Sequence, residues 1–170
     1  MTVFRADEED MEGVMDLISC CIKDMTAKGN DQWGEDYPDK KIVAADMHEG
    51  SLYLWKEKDI CQGMIVLNEF QNEEYQNISW ANKEGKILVV HRLAVHPEFQ
   101  RQGIAGKLMD FAEEIAMTKR YVAIRLDTYS NNPAAINFYK RRGYDYTGEI
   151  YFLHRSLPFY GYEKMIVEQS

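Results

Sequence analysis

No apolar run in these 170 residues reaches the roughly 18 that a membrane-spanning helix needs. The N-terminus, Met1-Thr2-Val3-Phe4-Arg5 followed by acidic residues, lacks the layout of a secretory signal. Both absences lead to the expectation of a soluble, cytoplasmic protein with no membrane partner. Cysteine is scarce. Of the three, Cys20 and Cys21 are adjacent and poorly placed to bridge each other, which leaves Cys61 alone. No disulfide framework is therefore written, and reduced, packed thiols are expected. The four histidines, His48, His91, His96 and His154, show neither H-x-x-x-H nor paired Cys/His spacing, so no metal site is expected. An excess of positive charge is also missing. A net charge of −8 argues against a nucleic-acid-binding surface, which needs a basic face.

What is present is enough apolar material, 45% of residues, for one core, and a single domain over 1–170 is expected. The charge is unevenly spread: residues 1–85 carry 8 Lys/Arg against 19 Asp/Glu, whereas 86–170 carry 12 against 9. Such a split suits an anionic cofactor meeting a cationic or amine substrate, and it equally suits an acidic surface kept for solubility.

Periodicity predicts a strand at Val3–Ala6, then a helix from about Glu8 to Lys28 behind an Asp7 cap, closed by Gly29-Asn30. A second helix is predicted from Pro38 to Glu49, stopped by Gly50. Leu52–Lys56 and Ile60–Asn68 read as a hairpin, and 69–86 as strand ends around an irregular loop. Ile87–Val95 is a strand, Gln102–Lys119 a helix, and Tyr121–Thr128 a strand. A helix from Pro133 to Arg142 and two strands, Tyr144–Phe152 and Phe159–Val167, complete the chain. The expected fold class is α+β, with a mixed, mostly antiparallel central sheet and helices on both faces.

The stretch that carries chemistry runs from Leu88 to Lys107, where an apolar strand crosses a short polar loop into a glycine-rich helix start flanked by Arg101 and Lys107. Such a start is an anion site, because its first amides lack partners within the helix and its dipole favours negative charge. The turn is neither G-x-G-x-x-G with a following acid nor G-x-x-x-x-G-K-S/T, which removes the dinucleotide and P-loop readings. Gln100-Arg101-Gln102-Gly103-Ile104-Ala105-Gly106 instead fits Q-x-x-G-x-G/A. Downstream, the run Asn132-Pro133-Ala134-Ala135-Ile136-Asn137-Phe138-Tyr139-Lys140-Arg141-Arg142-Gly143-Tyr144 fits N-x-x-A-x-x-F-Y-x-x-x-G-F/Y.

With these two motifs, in this order, the chain resembles the GNAT N-acetyltransferases. The resemblance implies a single-domain acyl-coenzyme A N-acyltransferase fold with acetyl-coenzyme A as co-substrate. Its pyrophosphate would meet Arg101, Gln102, Gly103, Ile104, Ala105 and Gly106. Leu93, Ala94 and Val95 would pair their backbone with the pantetheine amides, like an added strand. Asn132, also a plausible helix cap, would reach the pantetheine arm. The resemblance makes Tyr139 the proton donor to the departing thiolate.

The proton acceptor stays open among three residues. Asp127 stands where some protein-acetylating relatives carry a Glu base; His91 lies on the strand bearing the oxyanion-stabilising amide and titrates in the right range; Glu69 ends the hairpin. Trp33, Tyr37, Phe70 and Trp80 fall in the two irregular stretches and either line an acceptor pocket or cover the core. The expected activity is transfer of an acetyl group to a primary amine, on a small molecule or a peptide N-terminus, by direct attack in a ternary complex. A homodimer is possible in this family. The competing reading is a non-catalytic acyl-coenzyme A-binding or regulatory protein of the same fold.

Overall fold

The computed structural model describes residues 3–167. The chain forms two compact units, one from 3–67 with 91–112 and the other from 68–90 with 113–167. Together they supply seven strands and four α-helices.

The first unit holds β1 (Val3–Arg5), α1 (Met11–Ala27), α2 (Lys40–His48), β2 (Leu52–Glu57) and β3 (Ile60–Asn68). It also holds the C-terminal half of β4 (Ile87–Val95) and most of α3 (Ile104–Thr118). β1 pairs antiparallel with β2, and β2 with β3, placing Leu54 opposite both Phe4 and Met64. Side chains alternate across a strand. Met64 and Val66 therefore join Val14, Leu17, Ile18 and Cys21 of α1 and Val43 and Met47 of α2 in one core. Gly63 faces the other way, toward α3. A Cβ there would stand 2.9 Å from Ile104 Cγ2 and 3.1 Å from Leu108 Cδ1, so only glycine lets α3 lie this close to β3.

The second unit holds the N-terminal part of β4, then β5 (Ala123–Tyr129), α4 (Pro133–Arg141), β6 (Asp145–Ile150) and β7 (Phe159–Met165). β5 runs parallel to β4, with Ile87–Val89 opposite Ala123–Arg125, and that ladder includes no residue of β4 beyond Val89. β7 is antiparallel to both β5 and β6. Its core gathers Tyr75, Ile78, Trp80, Val89, Tyr129, Ile150 and Phe159.

Local chemistry moved several predicted boundaries. The first helix opens as a 3-10 turn, Glu8–Asp10, because Asp7 and Asp10 cap each other's backbone reciprocally before α1 begins. The second helix starts at Lys40 rather than at Pro38, since the Asp39 carboxylate caps Ile42 N–H at 2.9 Å. The third starts at Ile104 rather than at Gln102: Arg101 (φ 63°) and Gly103 (φ 82°) both lie in the left-handed region. In 69–86 there is a 3-10 turn, Glu73–Asn77, in place of strand ends. The sixth strand ends at Ile150, and the seventh at Met165.

Candidate functional site

In the first unit, β4 hands the chain to α3 through a short polar turn. Arg101, Gln102 and Gly103 are exposed, Ile104 is buried, and Ala105 and Gly106 are half-buried. A Cβ built on Gly103 meets nothing within 4 Å, so the space over this turn is open and the backbone can be approached closely. Lys107 N–H bonds the Gly103 carbonyl at 3.0 Å, and the amides before it lack intrahelical acceptors and carry the positive end of the helix dipole. The residues present thus fit a pyrophosphate. Gln100 folds back so that its side-chain amide donates to the Val95 carbonyl at 3.3 Å, closing the turn on the end of β4. The Lys107 ammonium lies over the Trp55 ring, 4.7 Å from the centroid.

Leu93 and Val95 are half-buried and Ala94 is buried. Next to them Arg92, within β4, has φ 48°, in the left-handed region. Its guanidinium forms a bidentate pair with the buried Asp46, at 2.9 and 2.6 Å, and donates to the Tyr37 hydroxyl at 2.8 Å. Sequence reasoning passed over Arg92 and Asp46. Only the charge of Arg92 inside an otherwise apolar run hinted at a buried partner.

In the second unit, Asp127 is half-buried on β5, and its carboxylate accepts the Tyr75 hydroxyl at 2.5 Å. Burial pushes the Asp127 carboxyl up to about 6, with the charge of Glu74 adding to the rise and the Tyr75 hydrogen bond opposing it. Tyr139, on α4, is 6% exposed, and its ring packs against Phe138, Tyr144 and Tyr162. Burial, then the negative charge of Asp127, pushes its phenol well above the ordinary value. Among the described residues its hydroxyl makes no hydrogen bond. Asn132 caps α4, accepting Ala135 N–H at 3.2 Å, and Pro133 occupies the first helical position.

The second unit therefore brings Tyr75, Asp127 and Tyr139 together. His91 is half-buried on β4. The Glu69 carboxylate accepts the Tyr121 hydroxyl at 2.9 Å and lies 3.4 Å from the Lys86 ammonium. The aromatic residues of the irregular stretches divide. Trp33 and Trp80 are core, Tyr37 is half-buried against Arg92, and Phe70 is 64% exposed. The three thiols are free, and burial pushes Cys21 and Cys61 up to about 12, where they are inert. No group of three His, Cys, Asp or Glu among the described residues is arranged to hold a metal, and no helix there is long and apolar enough to cross a membrane.

Among the described residues, seven strands paired in mixed fashion and four α-helices, with a glycine-opened turn between β4 and α3, make this an α+β protein. The Acetyltransferase (GNAT) family profile matches residues 14–144, and the chain belongs to that family. It is 24% identical over 145 residues to the uncharacterized N-acetyltransferase YesJ of Bacillus subtilis, covering 82% of this chain and 79% of that one. It is also 26% identical over 102 residues to a streptothricin acetyltransferase of Escherichia coli, covering 60% and 56% of the two. A GNAT-family acetyltransferase of Streptococcus agalactiae has the same fold, with a TM-score of 0.80, 21% identity and coverage of 96% and 94%. So has the PaiA N-acetyltransferase of Thermoplasma acidophilum, solved in complex with coenzyme A (TM-score 0.70, 16% identity, coverage of 96% and 97%). Acetyl transfer is the chemistry of this family.

Proposed function

We propose that the protein is an acetyl-coenzyme A-dependent N-acetyltransferase that moves the acetyl group directly to a primary amine in a ternary complex, as one domain over 1–170. The turn at Arg101–Gly106 binds the pyrophosphate of the donor, with the Gly103 backbone open to it. Leu93, Ala94 and Val95 offer backbone groups to the pantetheine, and Asn132 supplies a further polar contact while capping α4. The acceptor is a small-molecule amine or a peptide N-terminus. The acidic first half of the chain favours a cationic acceptor.

An amine is protonated at neutral pH and attacks a thioester only once neutral, so the reaction needs a proton acceptor that is half-ionised close to that range. Asp127 is the observation that carries the catalytic reading over simple acyl-coenzyme A binding: a half-buried carboxyl pushed up to about 6 serves no packing purpose and costs stability. It takes the base role ahead of His91. Tyr139 hands its proton to the departing thiolate, its hydroxyl being uncommitted among the described residues. The order of events is tested by initial-rate kinetics. Intersecting double-reciprocal lines are expected; parallel lines with an acetylated enzyme in the mass spectrum would contradict direct attack.

A further inference from the structure

The segment 69–86 is the least regular of the chain, yet it is clasped by a buried ion pair. Arg125 on β5 and Glu163 on β7 stand opposite each other in register, 7% and 3% exposed, and bond at 2.8 Å. Arg125 also donates to Gln71 Oε1 at 2.8 Å and to the Asn82 carbonyl, which lie near the two ends of the segment. Glu163 accepts the amides of Ala81 and Asn82, at 2.9 and 3.3 Å. Between these anchors the chain makes its 3-10 turn. Trp80 donates its indole N–H to the Tyr75 carbonyl at 2.9 Å and packs on the Tyr75 ring, with centroids 5.2 Å apart. Burying a charged pair is a poor source of net stability, and its best-attested return is a single fixed arrangement. What is fixed here is the phenol of Tyr75, aimed at the carboxyl of Asp127, two residues along β5 from Arg125 and therefore on the same face of the strand.

We propose that Tyr75 is a positioning residue for Asp127: its hydroxyl fixes one carboxylate oxygen, leaves the other to take the proton of the amine acceptor, and sets the acidity at which it does so. This rests on Asp127 being the base. The groups that face Asp127 are few. Tyr75 and Glu74 come from the 3-10 turn and Tyr139 from α4, the β7 residue opposite is the uncharged Gly161, and the charge of Arg125 acts on the Tyr75 phenol. Of these, Tyr75 alone hydrogen-bonds the carboxyl and favours its ionised form, so its loss raises the affinity of Asp127 for a proton.

The test is Tyr75→Phe in the full chain, read by carboxyl-carbon NMR titration of Asp127 without substrate and by the pH profile of acetyl transfer. Both titrations are expected to move upward from about 6 by about one pH unit, a tenfold change in proton affinity, while the KM for acetyl-coenzyme A stays put. Introducing 3-fluorotyrosine at position 75 keeps the ring and strengthens the donor, and the titration is then expected to move downward. If Tyr75→Phe does not fold, the fluorinated protein decides alone. An Asp127 titration unmoved by the donor change overturns the positioning role, even where stability falls. The Asp127→Asn variant separates the two ideas: if it keeps the wild-type rate and acidic limb, the base assignment has failed, whatever Tyr75 does.

Discussion

Replacing Asp127 by Asn is expected to make the protein more stable at alkaline pH and at the same time nearly inactive. In the folded chain the carboxyl titrates at about 6 against an ordinary 3.8, a rise of roughly two pH units, or ~3 kcal/mol at 1.36 kcal/mol per unit. The sign follows from proton linkage. Below about 4 the group is protonated in both folded and unfolded chains and imposes no penalty. As pH rises from about 4 through 6, the unfolded chain loses the proton first, and the folded state is disfavoured until the full ~3 kcal/mol is reached above about 6. Asn cannot ionise, keeps an oxygen for the Tyr75 hydroxyl, and escapes this penalty. The stability of the variant relative to wild type should thus improve by ~3 kcal/mol between pH 4 and pH 8. Urea unfolding followed by circular dichroism at both pH values measures this directly. Acetyl transfer should fall by a factor of about 10² to 10⁴, the usual worth of a general base. A stability difference that does not change with pH would refute the reasoning, because it would mean that the Asp127 carboxyl titrates alike in the folded and unfolded chains.

Three further outcomes follow from the geometry. Tyr139→Phe should lower kcat by about 10²-fold or more yet change the melting free energy by less than ~1 kcal/mol, since the hydroxyl makes no hydrogen bond among the described residues. Steady-state rates and a thermal melt check the two halves. Gly103→Ala should cost ~1–2 kcal/mol for an L-residue held at φ 82°, and should raise the KM for acetyl-coenzyme A more than it lowers kcat. Asp46→Ala strands the buried Arg92 guanidinium and should cost ~3–5 kcal/mol in denaturant unfolding, with Asp46→Asn milder because an acceptor oxygen remains.

The proposed donor side of this protein is legible in its sequence because backbone requirements leave few choices of residue. A left-handed turn opening α3 asks for Gly103, the cap of α4 asks for Asn132 and Pro133, and the strand Ile87–Val95 is an apolar run with the observed limits. The proton-handling side is less legible. Asp127 is a lone acid in a strand, and its raised proton affinity arises from burial under a segment that has no periodicity to read. Tyr75 is one aromatic among polar neighbours, and its partner lies 52 residues away. Arg125 and Glu163 are charged residues within largely apolar and aromatic strands, but their pairing depends on β5–β7 register, which neither strand encodes alone. The start of α2 was misread because Pro38 is a good first helical residue and Asp39 a better cap. Two adjacent start signals compete, and the side-chain hydrogen bond prevails.

The central claim is transfer to an amine, and release of free thiol from acetyl-coenzyme A in the presence of a panel of amines, amino acids and peptide N-termini tests it most directly. The account predicts thiol release that requires both enzyme and an amine, saturates in each substrate, and loses its acidic limb in Asp127→Asn. Thermal stabilisation by coenzyme A with no thiol release for any amine would contradict it, and would leave an acyl-coenzyme A-binding protein of the same fold.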